Sequence, residues 1–79
     1  MENKCYLADY DVVKDGKIIN QIDEYFWDES DENVIESAKE FALNGVDYAD
    51  VGHCDLSLVQ VVEVDDSQEC FPEKRIIWY

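Results

Sequence analysis

Asp28-Glu29-Ser30-Asp31-Glu32-Asn33-Val34-Ile35-Glu36-Ser37-Ala38-Lys39-Glu40-Phe41-Ala42-Leu43-Asn44 decides the reading of this chain. Val34, Ile35, Ala38, Phe41 and Ala42 recur at helical spacing and form one apolar stripe. On the far side, Asp28, Glu32, Glu36 and Glu40 fall on every fourth residue. A rise of about 1.5 Å per residue sets such carboxylates roughly 6 Å apart in a row. Like charges at that spacing repel, at a cost of about 0.2–0.5 kcal/mol per pair. Lys39 is the one base among them. A stripe that costs stability predicts a use outside the fold. The start and stop signals are clear. Ser30 is the expected N-cap, because its hydroxyl accepts an orphan backbone N–H, with Asp28 as an alternative one turn earlier. Asp31 and Glu32 suit the positive end of the helix dipole. Asn44-Gly45 is a C-terminal stop, since glycine takes a left-handed backbone without steric penalty.

Strands flank the helix on both sides. From Lys4 to Lys14, Tyr6, Ala8, Tyr10 and Val12 alternate with Cys5, Leu7, Asp9, Asp11 and Val13, a period of two. Asp15-Gly16 is a hairpin signal, because a type I′ turn needs positive φ twice. The returning strand runs from Lys17 to about Trp27, and its imperfect alternation predicts a bulge near Asn20-Gln21. Val46 to Cys54 reads as an irregular connection, broken by Asp47, Asp50 and Gly52. Leu56 to Asp65 is the clearest strand, with Leu56, Leu58, Val62 and Val64 expected on one face and Ser57, Val59, Val61 and Glu63 on the other. Asp66 to Pro72 is a loop, and Glu73 to Tyr79 a last strand. The predicted order is ββαββ: an α+β fold in a single domain over residues 1–79, one helix packed on a mostly antiparallel four-stranded sheet. The uncovered face is expected to carry some of Leu7, Val13, Val59, Val61 and the tyrosines. Apolar area left exposed there, with Trp78-Tyr79 at its margin, makes a homodimer conceivable.

Charge narrows the function. Twenty acids against six bases give a net charge of −14 in 79 residues. A small domain needs a net charge of only about 2–8 for solubility, and the surplus opposes folding through self-repulsion. Direct nucleic-acid binding needs Lys and Arg against phosphate, and an anionic membrane surface would repel this chain. The natural partner is therefore a basic protein surface. From Asp23 to Glu69 there are fifteen acids and one Lys or Arg, so the negative field gathers on the helix and its neighbouring loops. A row of carboxylates about 6 Å apart is of the order of the phosphate spacing along one strand, where duplex DNA carries about one charge per 1.7 Å of axis. The candidate partner-binding residues are Asp28, Glu29, Glu32, Glu36, Glu40, Asp47 and Asp50. Leu43 joins them as an apolar anchor on the acidic side.

Catalytic and metal chemistry find little support. His53-Cys54 are adjacent, and neighbours on a strand point apart, which disfavours a nucleophile–base pair. Three cysteines without CxxC spacing fit a reduced, cytoplasmic setting and small packing roles. No apolar run is long enough to span a membrane, and no signal peptide is evident. The expectation is a non-enzyme without cofactor or metal. Asp9, Asp11 and Asp15-Gly16, or Asp65 to Glu69, leave a weak calcium-binding module as an alternative, although the spacing departs from an EF-hand loop. A small regulatory module docking through its sheet face is the other.

Size, charge, the acidic helix and the ββαββ order together resemble the small phage-encoded inhibitors, above all anti-CRISPR proteins. Acidic inhibitors of uracil-DNA glycosylase and of restriction enzymes are similar in style. The resemblance covers the whole chain in kind and rests on no diagnostic motif. It implies a DNA mimic in the bacterial host cytoplasm that blocks a CRISPR-Cas effector without catalysis.

Overall fold

The computed structural model describes residues 3–79. It has the α+β architecture expected from the sequence, with one strand more. The elements are β1 (Lys4–Lys14), β2 (Lys17–Asp28), α1 (Asp31–Asn44), β3 (Val46–Tyr48), β4 (Gly52–Val64) and β5 (Glu73–Trp78). All pair antiparallel, in the order β2-β1-β4-β3, with β5 also on β4. β3 takes the outer edge of β4 near its start, from Gly52 to Cys54, and β5 takes it near its end, from Val61 to Val64. The fourth position in the sheet is thus shared by two short strands. Among the described residues no helix is long and apolar enough to cross a membrane.

Turn chemistry sets the hairpin. Asp15 and Gly16 both have positive φ, 54° and 77°, as a primed turn requires, and Lys14 pairs with Lys17 across it. The register then slips between Val12 and Val13, where Val12 faces Asn20 and Val13 faces Ile18. Ile19 is the extra residue, one position from the expected bulge.

A second bulge corrects the sequence reading of β4. Asp9 pairs with Gln60 and Tyr10 with Leu58, leaving Val59 as the surplus residue. One added residue reverses the pleat. Leu56 therefore joins the helix-side core before the bulge, and Val61 after it. Val62 and Val64 turn to the opposite face with Cys5, under Leu7 and Phe71. The expected single row of Leu56, Leu58, Val62 and Val64 is split between the two faces.

The main core lies between α1 and the sheet. Val34 and Ala38 of the helix meet Tyr6, Ala8, Tyr10 and Val12 of β1, with Cys54, Leu56 and Val61 of β4. Phe41 packs against Tyr10 and Phe26, at ring separations of 5.3 and 6.1 Å. Tyr6 and Tyr10, placed by the expectation among candidates for the open face, are instead beneath the helix and fully buried. Both hydroxyls find acceptors, since an unsatisfied buried hydroxyl is costly. Tyr6 donates to Asp31 Oδ1 at 2.6 Å, and Tyr10 donates to the Ala38 carbonyl at 2.7 Å. Burial, with Glu24 nearby, pushes the Tyr10 phenol up to about 12. Val46 to Tyr48 is a strand, not irregular chain: Val46 and Tyr48 pack on the core while Asp47 between them is exposed.

Candidate functional site

Helix geometry builds the acidic surface. Ser30 is the N-cap, its hydroxyl accepting from the Asn33 amide at 3.2 Å, and Gly45 ends the helix with φ of 65°. At about 100° per residue, Glu32, Glu36, Glu40 and Leu43 fall within one arc of about 80°, with Leu43 inside the row of acids. All four side chains are exposed, and Leu43 is 86 % exposed, the highest of the large apolar residues on any helix or strand described.

The other candidates lie beyond the helix. Asp28 was expected as the first member of the row. Because Ser30 caps, the helix starts at Asp31, and Asp28 is the half-buried last residue of β2. Its Oδ1 accepts from the Glu29 amide at 2.7 Å, which fixes the strand-to-helix corner. Glu29 is exposed in that corner. Asp47 lies on β3, and Asp50 in the turn between β3 and β4. The candidates thus occupy the helix face and both its ends, a helix of 14 residues being about 21 Å long.

Arg75, Lys74 and Lys14 are engaged away from that surface. Arg75, the chain's single arginine, donates to both oxygens of Asp31 at 2.8 and 2.9 Å and through Nε to Glu63 at 2.8 Å. Lys74 adds a contact of 3.2 Å to Glu63, which is only 5 % exposed. Two cations thus balance two carboxylates and tie the helix N-terminus to β4 and β5. The Arg75 bonds, followed by that of Tyr6, hold Asp31 below the usual carboxylate range. Burial alone would raise Glu63, but Lys74 and Arg75 more than offset it and hold it low. Lys14 donates to the His53 carbonyl at 3.0 Å. Lys39 borders the glutamate row, about 20° outside Glu32 on the helix, but its ammonium sits over the Trp78 ring, 5.8 Å from the centre, and makes no ion pair with the glutamates. Among the described residues, no ion pair reaches Asp28, Glu29, Glu32, Glu36, Glu40 or Asp50. Asp47 is the exception, 2.7 Å from His53 Nδ1.

The residues weighed for catalysis and for calcium lie elsewhere. His53 is exposed while Cys54 is buried, so the adjacent pair does point apart. Cys5 and Cys54 are packing residues, but Cys70 is exposed in the loop before β5, contrary to the packing role expected of it. Asp9 and Asp11 line an open hollow of about 450 Å³ on the face away from the helix, with Asp23, Gln21, Val59 and Gln60. Gln60 and Gln21 donate to Asp9 and Asp11 at 2.9 and 3.1 Å. Asp15 lies apart in the hairpin turn, and the Asp65 carboxylate is engaged by Ser67 and Gln68. No group of three or more metal-ligating side chains is found among the described residues. Sequence reasoning missed the Tyr6–Asp31–Arg75–Glu63 network, whose only local signal was a lone arginine beside a lysine in an acidic chain.

The chain matches no family model, no curated protein and no solved structure.

Proposed function

We propose that this protein is a non-enzymatic inhibitor that binds a basic, nucleic-acid-binding surface of a partner protein. The acidic helix face stands in for a phosphate backbone. The observation that carries this reading is the division of labour among the charges. Asp31 and Glu63, the acids that hold the fold together, consume Arg75 and Lys74. Among the described residues, Glu32, Glu36 and Glu40 are left exposed and without an ion pair. A basic groove would supply the missing cations, with long-range attraction and salt-sensitive association. Leu43, exposed inside the row, gives such a contact a desolvated anchor.

The resemblance to phage-encoded inhibitors makes a CRISPR-Cas effector the first partner to test. Guide loading and target-DNA binding are measured for a panel of purified effectors, with and without the protein. One of them loses guide or target binding, and the loss is relieved by salt. If a partner that holds the protein still takes up DNA at normal affinity, mimicry is wrong.

A further inference from the structure

Among the described residues, β2 is an edge strand with no partner on its outer side. It has 12 residues, nine of them exposed, while its neighbour β1 is sandwiched between strands. The direction of its amides follows from the hairpin. Lys14 faces Lys17 at the turn, and every second residue of β1 from there, through Val12, Tyr10, Ala8 and Tyr6, bonds toward β2. Their partners Ile22, Glu24 and Phe26 therefore point inward. The Gln21 amide instead donates to the Asn20 side chain at 2.9 Å, as an outward amide would. By the two-residue repeat, the amides of Asp23, Tyr25 and Trp27 point outward as well.

We infer that this edge accepts an extended, lysine- or arginine-bearing segment of the partner by strand addition. The inference rests on the reading above that the partner is basic, and adds how it docks. Three observations support it. The edge offers a run of free backbone donors and acceptors. Its side chains include exposed apolar groups, Tyr25 at 44 % and Trp27 at 52 %, which a passing strand would cover. It also carries the exposed acids Asp23 and Glu24. Those acids decide the occupant. A second copy would bring the same acids against them, on chains each of net charge −14. A basic strand meets opposite charge at those positions and ring faces for its cations at Tyr25 and Trp27.

The test uses a capped peptide of alternating lysine and valine, long enough to span β2, and a control of identical sequence with every backbone amide N-methylated, so that neither edge of it can donate. Binding is followed at low salt by calorimetry, and amide exchange by NMR. In the free protein the Ile22, Glu24 and Phe26 amides exchange slowly and those of Asp23, Tyr25 and Trp27 fast. The plain peptide slows the latter three, and the methylated peptide binds at least about tenfold more weakly, having lost shared backbone hydrogen bonds. Equal binding of both peptides without protection of those amides overturns strand addition and leaves charge attraction standing. Protection on another element, or binding of neither peptide, also overturns it. The effector competition assay then judges the parent reading separately.

Discussion

Arg75 grips Asp31 with two parallel hydrogen bonds of 2.8 and 2.9 Å, joining the first turn of the helix to the last strand across 44 residues of sequence. Bidentate pairing of this kind is geometrically demanding, and lysine cannot reproduce it. Arg75→Gln leaves the nearly buried Glu63 with Lys74 alone and Asp31 with Tyr6. Such a variant is expected to unfold at lower denaturant than the parent, with the helix N-terminus the first part to lose amide protection. Arg75→Lys recovers only part of the loss.

Acid weakens the fold through the same residues. Asp31 and Glu63 titrate below their ordinary values of 3.8 and 4.5 in the folded chain. The unfolded chain then binds more protons than the folded one in mild acid, so stability rises with pH there. Their contribution is complete above those ordinary values and is lost as pH falls through the lower folded ones. Denaturant midpoints between pH 7 and 2 check this. The Arg75→Gln curve should decline less than the parent's over the acid range, because less pairing remains to be lost. Relief of repulsion among the other acids acts on both proteins, so parallel curves would refute the assignment.

Two glycine and serine positions carry the helix ends. Ser30→Ala removes the cap on the Asn33 amide and should cost about 1 kcal/mol. At Gly45 a Cβ would come within 2.5 Å of the Cys54 carbonyl oxygen, at a φ of 65°. Backbone does not yield as a side chain does, so Gly45→Ala should cost about 1–3 kcal/mol. Chemical denaturation of both variants measures these losses.

Local chemistry made the hairpin and the helix ends legible. Asp15-Gly16, Ser30 and Gly45 each announce a backbone conformation that few other residues take easily. The inward row of β1 was plain in its alternation, although which tyrosines it buried was not. The face of β4 was misread because Val59, an ordinary strand residue, gives no sign that it is the surplus one in a bulge. β3 was missed because three residues hold too little pattern, although Val46 and Tyr48 do alternate around Asp47. Asp28 matched the four-residue spacing of the acids, yet the serine two positions later stops the helix short of it. The acidic face was readable in the charges. The engagement of Arg75 and Lys74 elsewhere was not, because it depends on β5 lying beside the helix N-terminus.

Leu43 separates binding from folding. It is 86 % exposed, so Leu43→Ser should change stability by no more than about 0.5 kcal/mol. An anchor at the centre of an interface costs more than about 1 kcal/mol of affinity when truncated, roughly a fivefold loss or greater. Titration of the variant against the parent's partner measures it. Unchanged affinity would reduce Leu43 to an incidental surface residue.

The central claim is that the glutamate row serves a partner and contributes little to the fold. It is tested most directly by the triple variant Glu32→Gln, Glu36→Gln, Glu40→Gln, scored for stability and for displacement of DNA from the target. Removing two like-charge pairs along the helix gains about 0.4–1 kcal/mol, and losing Glu32 from the first turn costs about 0.3–1 kcal/mol against it, so stability should stay within about 1 kcal/mol of the parent's. The same variant should lose inhibition. A variant that folds and still displaces DNA as well as the parent contradicts the account.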